Sequence, residues 1–193
     1  MDTKKHVVQV GLHNTAEYRF LASRFTDEKR NEPRPLPYEL SLEGNWIFHG
    51  VECHPESIKN FKDTETDKYY QYAITDQASG TIEVGDFRKR RSGERIIVPS
   101  RTLESFFAEA GIPHCHLLIL DIEGWEYRAI EAYTGEIPID FMIVEYHHRY
   151  FNRYPPVPSE ADFEKLSAEK GFEIIAKYKA NLGDNLEIHL KRT

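Results

Sequence analysis

The sequence predicts a doubly wound α/β fold built on a mainly parallel sheet of about seven strands. Three observations carry that expectation. Short apolar runs alternate with stretches of helical spacing along the chain. The run Leu117 to Leu120 is continuously apolar, as a strand buried on both faces requires. The last two strand-like runs, Phe172 to Tyr178 and Asn185 to Leu190, read as a closing antiparallel pair.

The elements follow in order. His6 to Gly11 is a short β-branched run ending at glycine, a good first strand. Thr15 to Phe25 has Tyr18, Leu21, Ala22 and Phe25 at helical spacing, with Asn14 as its N-cap. Thr26 to Asn45 carries Pro33, Pro35 and Pro37 and many charges, and reads as a long loop. Trp46 to Val51 is the second strand, and Pro55 to Phe61 a short helix with proline at a permitted early position. Tyr69 to Thr75 is the third strand, and Thr81 to Val84 and Arg95 to Val98 are shorter ones. The helix Thr102 to Ala110 stops at Gly111, and Pro113 prevents its resumption. Leu117 to Asp121 is a central strand, Trp125 to Ala132 a helix, and Asp140 to Glu145 a further central strand. Tyr146 to Ser159 reads as an aromatic, proline-rich loop, and Glu160 to Lys170 as a helix capped by Gly171.

The chain has 193 residues, the size of one domain with one sizeable core, and residues 1–193 are read as a single domain. Its net charge of −7 argues against a non-specific nucleic-acid binder, which carries a basic excess. The basic run Arg88 to Arg91 is a solvated loop or a local grip on an anionic substrate. No apolar run is long enough to span a bilayer, and the N-terminus shows no signal-peptide core, so no membrane partner is expected. Two cysteines, Cys53 and Cys115, show no metal or disulfide spacing and fit a reducing, cytoplasmic setting. Oligomeric state is not legible.

In an open α/β sheet, ligands sit outside the carboxyl ends of the strands, near the point where strand order reverses. Those ends hold Gly11 with His13 and Asn14, then Glu52, Asp76, Asp121 and Glu145 with His147 and His148. Four of the five carry an acid. A carboxylate ending the second strand can accept hydrogen bonds from both ribose hydroxyls of a nucleoside cofactor, the role assigned to Glu52.

Here the motifs become specific. Leu120-Asp121-Ile122-Glu123-Gly124-Trp125-Glu126 resembles the hallmark of the FkbM methyltransferases, a strand entering Asp-x-Glu-Gly-x-Glu. Thr102-Leu103-Glu104 resembles that family's Thr-Leu-Asp segment. Val51-Glu52-Cys53-His54-Pro55 resembles its Glu-Pro-x-Pro motif, with Cys53 where proline is usual. Ile143-Val144-Glu145-Tyr146-His147 resembles its final Glu-x-His element. The similarity runs from about His6 to His148 in the right order. One departure stands in the first loop. The family's Asp-x-Gly-x-Asn-x-Gly is here Gln9-Val10-Gly11-Leu12-His13-Asn14-Thr15-Ala16, so the leading acid and the last glycine are replaced.

The resemblance implies a Rossmann-like class I methyltransferase fold, S-adenosylmethionine as cofactor, and a small-molecule hydroxyl as methyl acceptor. Gly11, His13, Asn14, Glu52, Asp76 and Asp121 are then the cofactor-binding candidates, with Asp76 directed to the adenine amino group. Asp121, Glu145 and His147 are the catalytic candidates. Asp121 is placed to orient the acceptor hydroxyl, to take its proton, or to hold a divalent ion, Mg²⁺ or Mn²⁺, together with Glu145 and His147. Glu123 and Glu126 read as acids favouring a helix start. The aromatic stretch Tyr146 to Tyr154 reads as an acceptor wall. The alternative is a non-catalytic module with a degenerate cofactor site. An NAD-dependent oxidoreductase is disfavoured, because the glycine fingerprint for a pyrophosphate is incomplete.

Overall fold

The computed structural model describes residues 4–12, 26–27, 32–33, 45–59, 61–85, 95–147, 158–179 and 185–193. The expected helix Thr15 to Phe25 and its cap Asn14 lie outside the described residues, as do His13, His148 and the basic run Arg88 to Arg91.

Seven strands form the main sheet. They are β1 (Lys5–Val10), β4 (Trp46–Val51), β5 (Asp67–Tyr70), β9 (Cys115–Leu120), β10 (Ile139–Tyr146), β11 (Phe172–Lys179) and β12 (Leu186–Arg192). Between β1 and β4 lies a two-residue pair, β2 (Thr26–Asp27) with β3 (Glu32–Pro33). A separate three-stranded sheet holds β6 (Ala73–Ile74), β8 (Arg95–Arg101) and β7 (Thr81–Gly85), in that order. The helices are α1 (Pro55–Ile58), α2 (Leu103–Ala110), α3 (Glu126–Ala132) and α4 (Glu160–Glu169).

The main sheet runs β5-β4-β1-β9-β10-β12-β11. From β5 to β10 every pairing is parallel, and β12 is antiparallel to both β10 and β11. The order reverses between β1 and β9, because β4 and β5 build outward on one side of β1 and β9 and β10 on the other. This is the doubly wound sheet with a closing hairpin that the sequence predicts. The hairpin forms one edge of the sheet, with β11 outermost and β12 seated between β10 and β11.

One face of this sheet carries the main core. Val8, Val10, Leu118, Leu120, Met142, Val144, Ile188 and Leu190 pack with Leu103, Phe106 and Phe107 of α2, Ala129 and Ile130 of α3, and Phe163 and Leu166 of α4. Spacings of three and four residues give each helix one apolar side to bury. The other face, with Val7, Leu117, Phe141 and Ile143, forms a second cluster. Both faces of β9 are therefore apolar, which is why it reads as an unbroken run. Thr102 and Ser105 cap α2 reciprocally, and Ser159 and Asp162 do the same for α4.

Two expectations change. The run Tyr69 to Thr75 is not one strand. β5 leaves the main sheet after Tyr70, and Ala73 and Ile74 pair instead with Ser100 and Arg101 of β8. Continuous β-forming residues hide this change of partner. Of the expected loop Tyr146 to Ser159, residues 148–157 lie outside the described residues, and Tyr146 is strand. Tyr146 ends β10, is fully buried against Phe163, and hydrogen-bonds through its hydroxyl to Pro158 O, so it belongs to the core and not to an acceptor wall.

The reversal point is held by backbone. Gly11 N donates to Val51 O at 2.9 Å, and Asp121 N donates to Val10 O at 3.1 Å. Gly11 has φ +91°, and a Cβ there would lie 1.8 Å from the Asp121 carbonyl oxygen. No side chain fits, so glycine is required for the two strand ends to meet. Gly11→Ala is expected to lower stability by about 1–3 kcal/mol or more through combined overpacking and backbone strain. Gly85→Ala, with nothing within 4 Å of its Cβ, serves as the control. Thermal melts of both variants check this, and equal melting temperatures would refute it.

Candidate active site

The acid ending β9 stands at the reversal point. After Asp121 the chain makes a tight turn in which Glu123 has φ +56° and Gly124 φ +102°. A non-glycine residue in the left-handed region costs about 1–3 kcal/mol and persists where its surroundings enforce it. Here the enforcing group is the Glu126 carboxylate, which is 0 % exposed. Its Oε1 accepts from the backbone N–H of Ile122 at 2.9 Å and of Gly124 at 3.2 Å, and its Oε2 accepts from Gly124 N–H at 3.0 Å. Glu126 thus acts at a helix start, as the sequence suggests.

It also does something the sequence does not show. Glu126 Oε1 lies 3.0 Å from His147 Nδ1. A carboxylate already accepting backbone amides takes a further proton donor, so Nδ1 carries the ring proton and Nε2 faces the other way. His147 Nε2 is 3.6 Å from Asp121 Oδ1 and 3.8 Å from Glu145 Oε1. Both separations exceed hydrogen-bond range. The imidazole, 5 % exposed, therefore stands with Glu126 behind it and two partly exposed carboxylates in front, Asp121 at 25 % and Glu145 at 29 %. Asn185 donates to Glu145 Oε1 at 3.4 Å. Glu145 pairs across the sheet with Glu187, which holds the buried His189 at 2.9 Å.

The electrostatics follow from crowding. Burial first, then the neighbouring Glu145 charge, push the Asp121 carboxyl up to about 8. For His147, burial opposes the charged ring, but the hydrogen bond and charge of Glu126, then Asp121 and Glu123, outweigh it and raise the imidazole to about 9. The cluster is a coupled set that holds protons tightly near neutrality. Such displaced values are a mark of functional sites.

The predicted site residues divide accordingly. Asp121, Glu145 and His147 come together. Gly11 meets Asp121 through the backbone. Glu52 ends β4 nearby, 4 % exposed, with Oε1 accepting from His54 N–H at 2.7 Å and the Cys53 thiol hydrogen-bonded to it. Burial and Glu52 push that thiol up to about 12, so Cys53 is not a nucleophile. Asp76 does not end a strand of the main sheet. It follows β6 and pairs with Arg128 of α3 at 3.2 Å. His13 and Asn14 lie outside the described residues. Glu126 and Asn185 are members that sequence reasoning missed. The signal for Glu126 was its place as the last acid of the hallmark run.

Comparison with known proteins supplies the family. A model described as the methyltransferase FkbM domain matches residues 9–174. The chain belongs to the FkbM methyltransferase family. No curated protein matches its sequence. Among solved structures, fibrillarin from Aeropyrum pernix, in complex with natively bound S-adenosyl-L-methionine, is similar at a TM-score of 0.51 and 12 % identity, covering 96 % of this chain and 66 % of that one. A pericyclic reaction enzyme is similar at a TM-score of 0.45 and 9 % identity, covering 98 % and 43 %. Magnesium protoporphyrin IX methyltransferase from Synechocystis PCC 6803, with bound SAH, is similar at 0.45 and 8 %, covering 97 % and 74 %. The FkbM chain thus spans just under two thirds of the fibrillarin and under half of the pericyclic enzyme. The likeness to fibrillarin supports the class I methyltransferase fold already drawn from the strand order.

If Glu126 raises the His147 ring, removing its charge lowers it. Glu126→Gln is expected to bring the His147 titration down by at least one pH unit from about 9. A histidine-resolved NMR titration reads this, and an unchanged midpoint would show that Glu126 only shapes the turn.

Proposed function

We propose that this FkbM-family chain is an S-adenosylmethionine-dependent O-methyltransferase acting on a hydroxyl of a carbohydrate or other small metabolite. The observation that carries the reading is the Glu126–His147 pair directed at Asp121 and Glu145 where the strand order reverses. Family membership supports the cofactor class.

The residues fit that cofactor on this structure's own terms. Gln9, in the place of the family's leading acid, is fully buried, and neither atom of its amide finds a hydrogen-bond partner among the described residues. A buried amide left so is costly, and a polar ligand at the crevice is one way to meet it. Asp121 and Glu145 are acids facing the crevice, and a ligand bearing an ammonium and a sulfonium favours their ionised forms. Bound there, S-adenosylmethionine supplies an electrophilic methyl group. The chain's own residues do the rest. Asp121, the acid that follows β9 at the reversal point, orients the acceptor hydroxyl and takes its proton. A neighbouring positive charge favours its ionised form, drawing it down from about 8. His147, oriented by Glu126 and positively charged below about 9, stabilises the carboxylate so formed. This is the orienting logic of a carboxylate–histidine pair. Alignment of acceptor oxygen with the methyl is the other requirement.

A divalent ion is a second reading of the same place, because donor atoms of Asp121, Glu126 and His147 lie within 4.8 Å of one another. With Glu126 engaged by two backbone amides, the donors for such an ion would be Asp121, Glu145 and His147 Nε2. It would lower the pKa of an acceptor hydroxyl. Loss of activity in EDTA and its return with Mg²⁺ or Mn²⁺ would select this reading.

Binding comes first. S-adenosylhomocysteine at a hundred times its dissociation constant is expected to stabilise the protein by about 2.7 kcal/mol, read as a raised melting temperature. No shift at millimolar ligand would overturn the cofactor assignment and favour a non-catalytic module.

Catalysis comes second and needs a screen of hydroxylated sugars and phenols for an acceptor. Turnover is expected to rise with pH along a limb lying below about 8, the value of Asp121 without cofactor, as Asp121 loses its proton, since only the carboxylate can accept one. Asp121→Asn should cost ~10²–10⁴-fold in turnover and abolish that limb. If the limb persists in Asp121→Asn, His147 is the base. If turnover is unchanged as well, the chemistry lies elsewhere.

A further inference from the structure

Two histidines and an aspartate meet at the other end of the sheet. His114 and His116 stand two residues apart at the start of β9, and residues two apart on an extended chain point to the same side. Asp140 stands beside His116 on β10, because the register pairs Cys115 with Ile139 and Leu117 with Phe141. His114 Nε2 lies 2.7 Å from Asp140 Oδ1. The two imidazoles stack with ring centroids 4.3 Å apart and planes 17° from parallel. One nitrogen from each ring and one Asp140 oxygen all lie within 4.8 Å of one another. The group is half-buried, so water reaches it.

We propose that His114, His116 and Asp140 bind a divalent transition-metal ion, of which Zn²⁺ is the natural probe. Two imidazoles and one carboxylate suit Zn²⁺, Co²⁺, Ni²⁺ or Cu²⁺, whereas Mg²⁺ and Ca²⁺ favour all-oxygen sets. Three protein ligands leave a fourth position, which the partial exposure gives to water. The site needs only small adjustments. His114 Nε2 and Asp140 Oδ1, now hydrogen-bonded, must part by a few tenths of an ångström to share an ion. Both side chains are more than a third exposed and have room to move. His116 accepts a backbone hydrogen bond from His6 N at 3.1 Å through Nδ1, so its neutral ring carries the proton on Nε2. Ligation through Nε2 moves that proton to Nδ1 and gives up the His6 bond, so the start of β1 reports on occupancy.

The location decides the role. His114 and Asp121 are seven residues apart along β9, roughly 23 Å at strand rise. The ion would therefore lie far from the methyl-transfer centre. It would clasp the starts of β9 and β10, two adjacent central strands, as a stabilising element. The inference does not depend on the proposed activity.

Calorimetric titration of the metal-free, full chain with Zn²⁺ tests it, with Co²⁺ absorption as a second reading of nitrogen ligation. The expected result is one equivalent bound by the unaltered chain and by His147→Ala. Binding should weaken at least tenfold in His114→Gln and in His116→Gln, and Zn²⁺ should raise the melting temperature of the unaltered chain but not of these variants. Asp140→Asn, which keeps the side-chain shape, should weaken binding in parallel, and circular dichroism confirms that each variant is folded. Two results overturn the proposal. One is no Zn²⁺ binding by the unaltered chain at about 100 µM, roughly tenfold above the weak end of the sensor-site range of ~10⁻⁷–10⁻⁵ M. The other is binding that survives His114→Gln and His116→Gln but is lost in His147→Ala, which would place the ion at the switch-point cluster.

Discussion

Everything at the switch point hangs on one buried carboxylate. Glu126 accepts the amides of Ile122 and Gly124 and, with the same oxygen, holds His147. A carboxylate that is 0 % exposed is costly to bury unless its lone pairs are met, and here they are met by three donors. The arrangement has two effects from one cause. It enforces the left-handed turn at Glu123 and Gly124, and it fixes which nitrogen of His147 looks toward the crevice. Strain in the turn and orientation of the imidazole are thus two ends of the same set of bonds.

A second constraint is the contact between Gly11 and Asp121. The first loop of the fold and the acid of the fourth core strand touch through backbone, with no side chain between them. A shift of the first loop is therefore transmitted directly to Asp121. The replacements in this loop, Gln9 for an acid and Thr15 or Ala16 for a glycine, leave this one contact intact.

Much of this was legible in the residues. The unbroken apolar run of β9, the acid after it and the ordered hallmark segments point to the candidate site, because parallel sheets put ligands at strand ends. Strand pairing was less legible. Tyr69 to Thr75 has the composition of one strand, and nothing local marks where the chain changes partners from β4 to β8. The position of Tyr146 was missed because an aromatic residue beside prolines resembles loop, whereas burial against Phe163 is a tertiary fact. The Glu126–His147 bond joins residues 21 apart, one on a helix and one beyond a strand. No periodicity encodes such a contact. The same holds for His114, His116 and Asp140, whose meeting depends on the register of two strands.

The seat of β12 bears on how the chain can fold. It follows β11 in sequence yet lies between β10 and β11 in the sheet. β11 is therefore synthesised before it has any strand to pair with, and it must wait as an unpaired, half-apolar segment. The next strand then has to insert between two that are already made, satisfying both at once. Pairings of this kind form late, and they leave a strand edge exposed to other molecules in the meantime. For this architecture the hazard of misassembly is concentrated in its last two strands, and β12 meets β10 at Glu187 and Glu145, beside the candidate site.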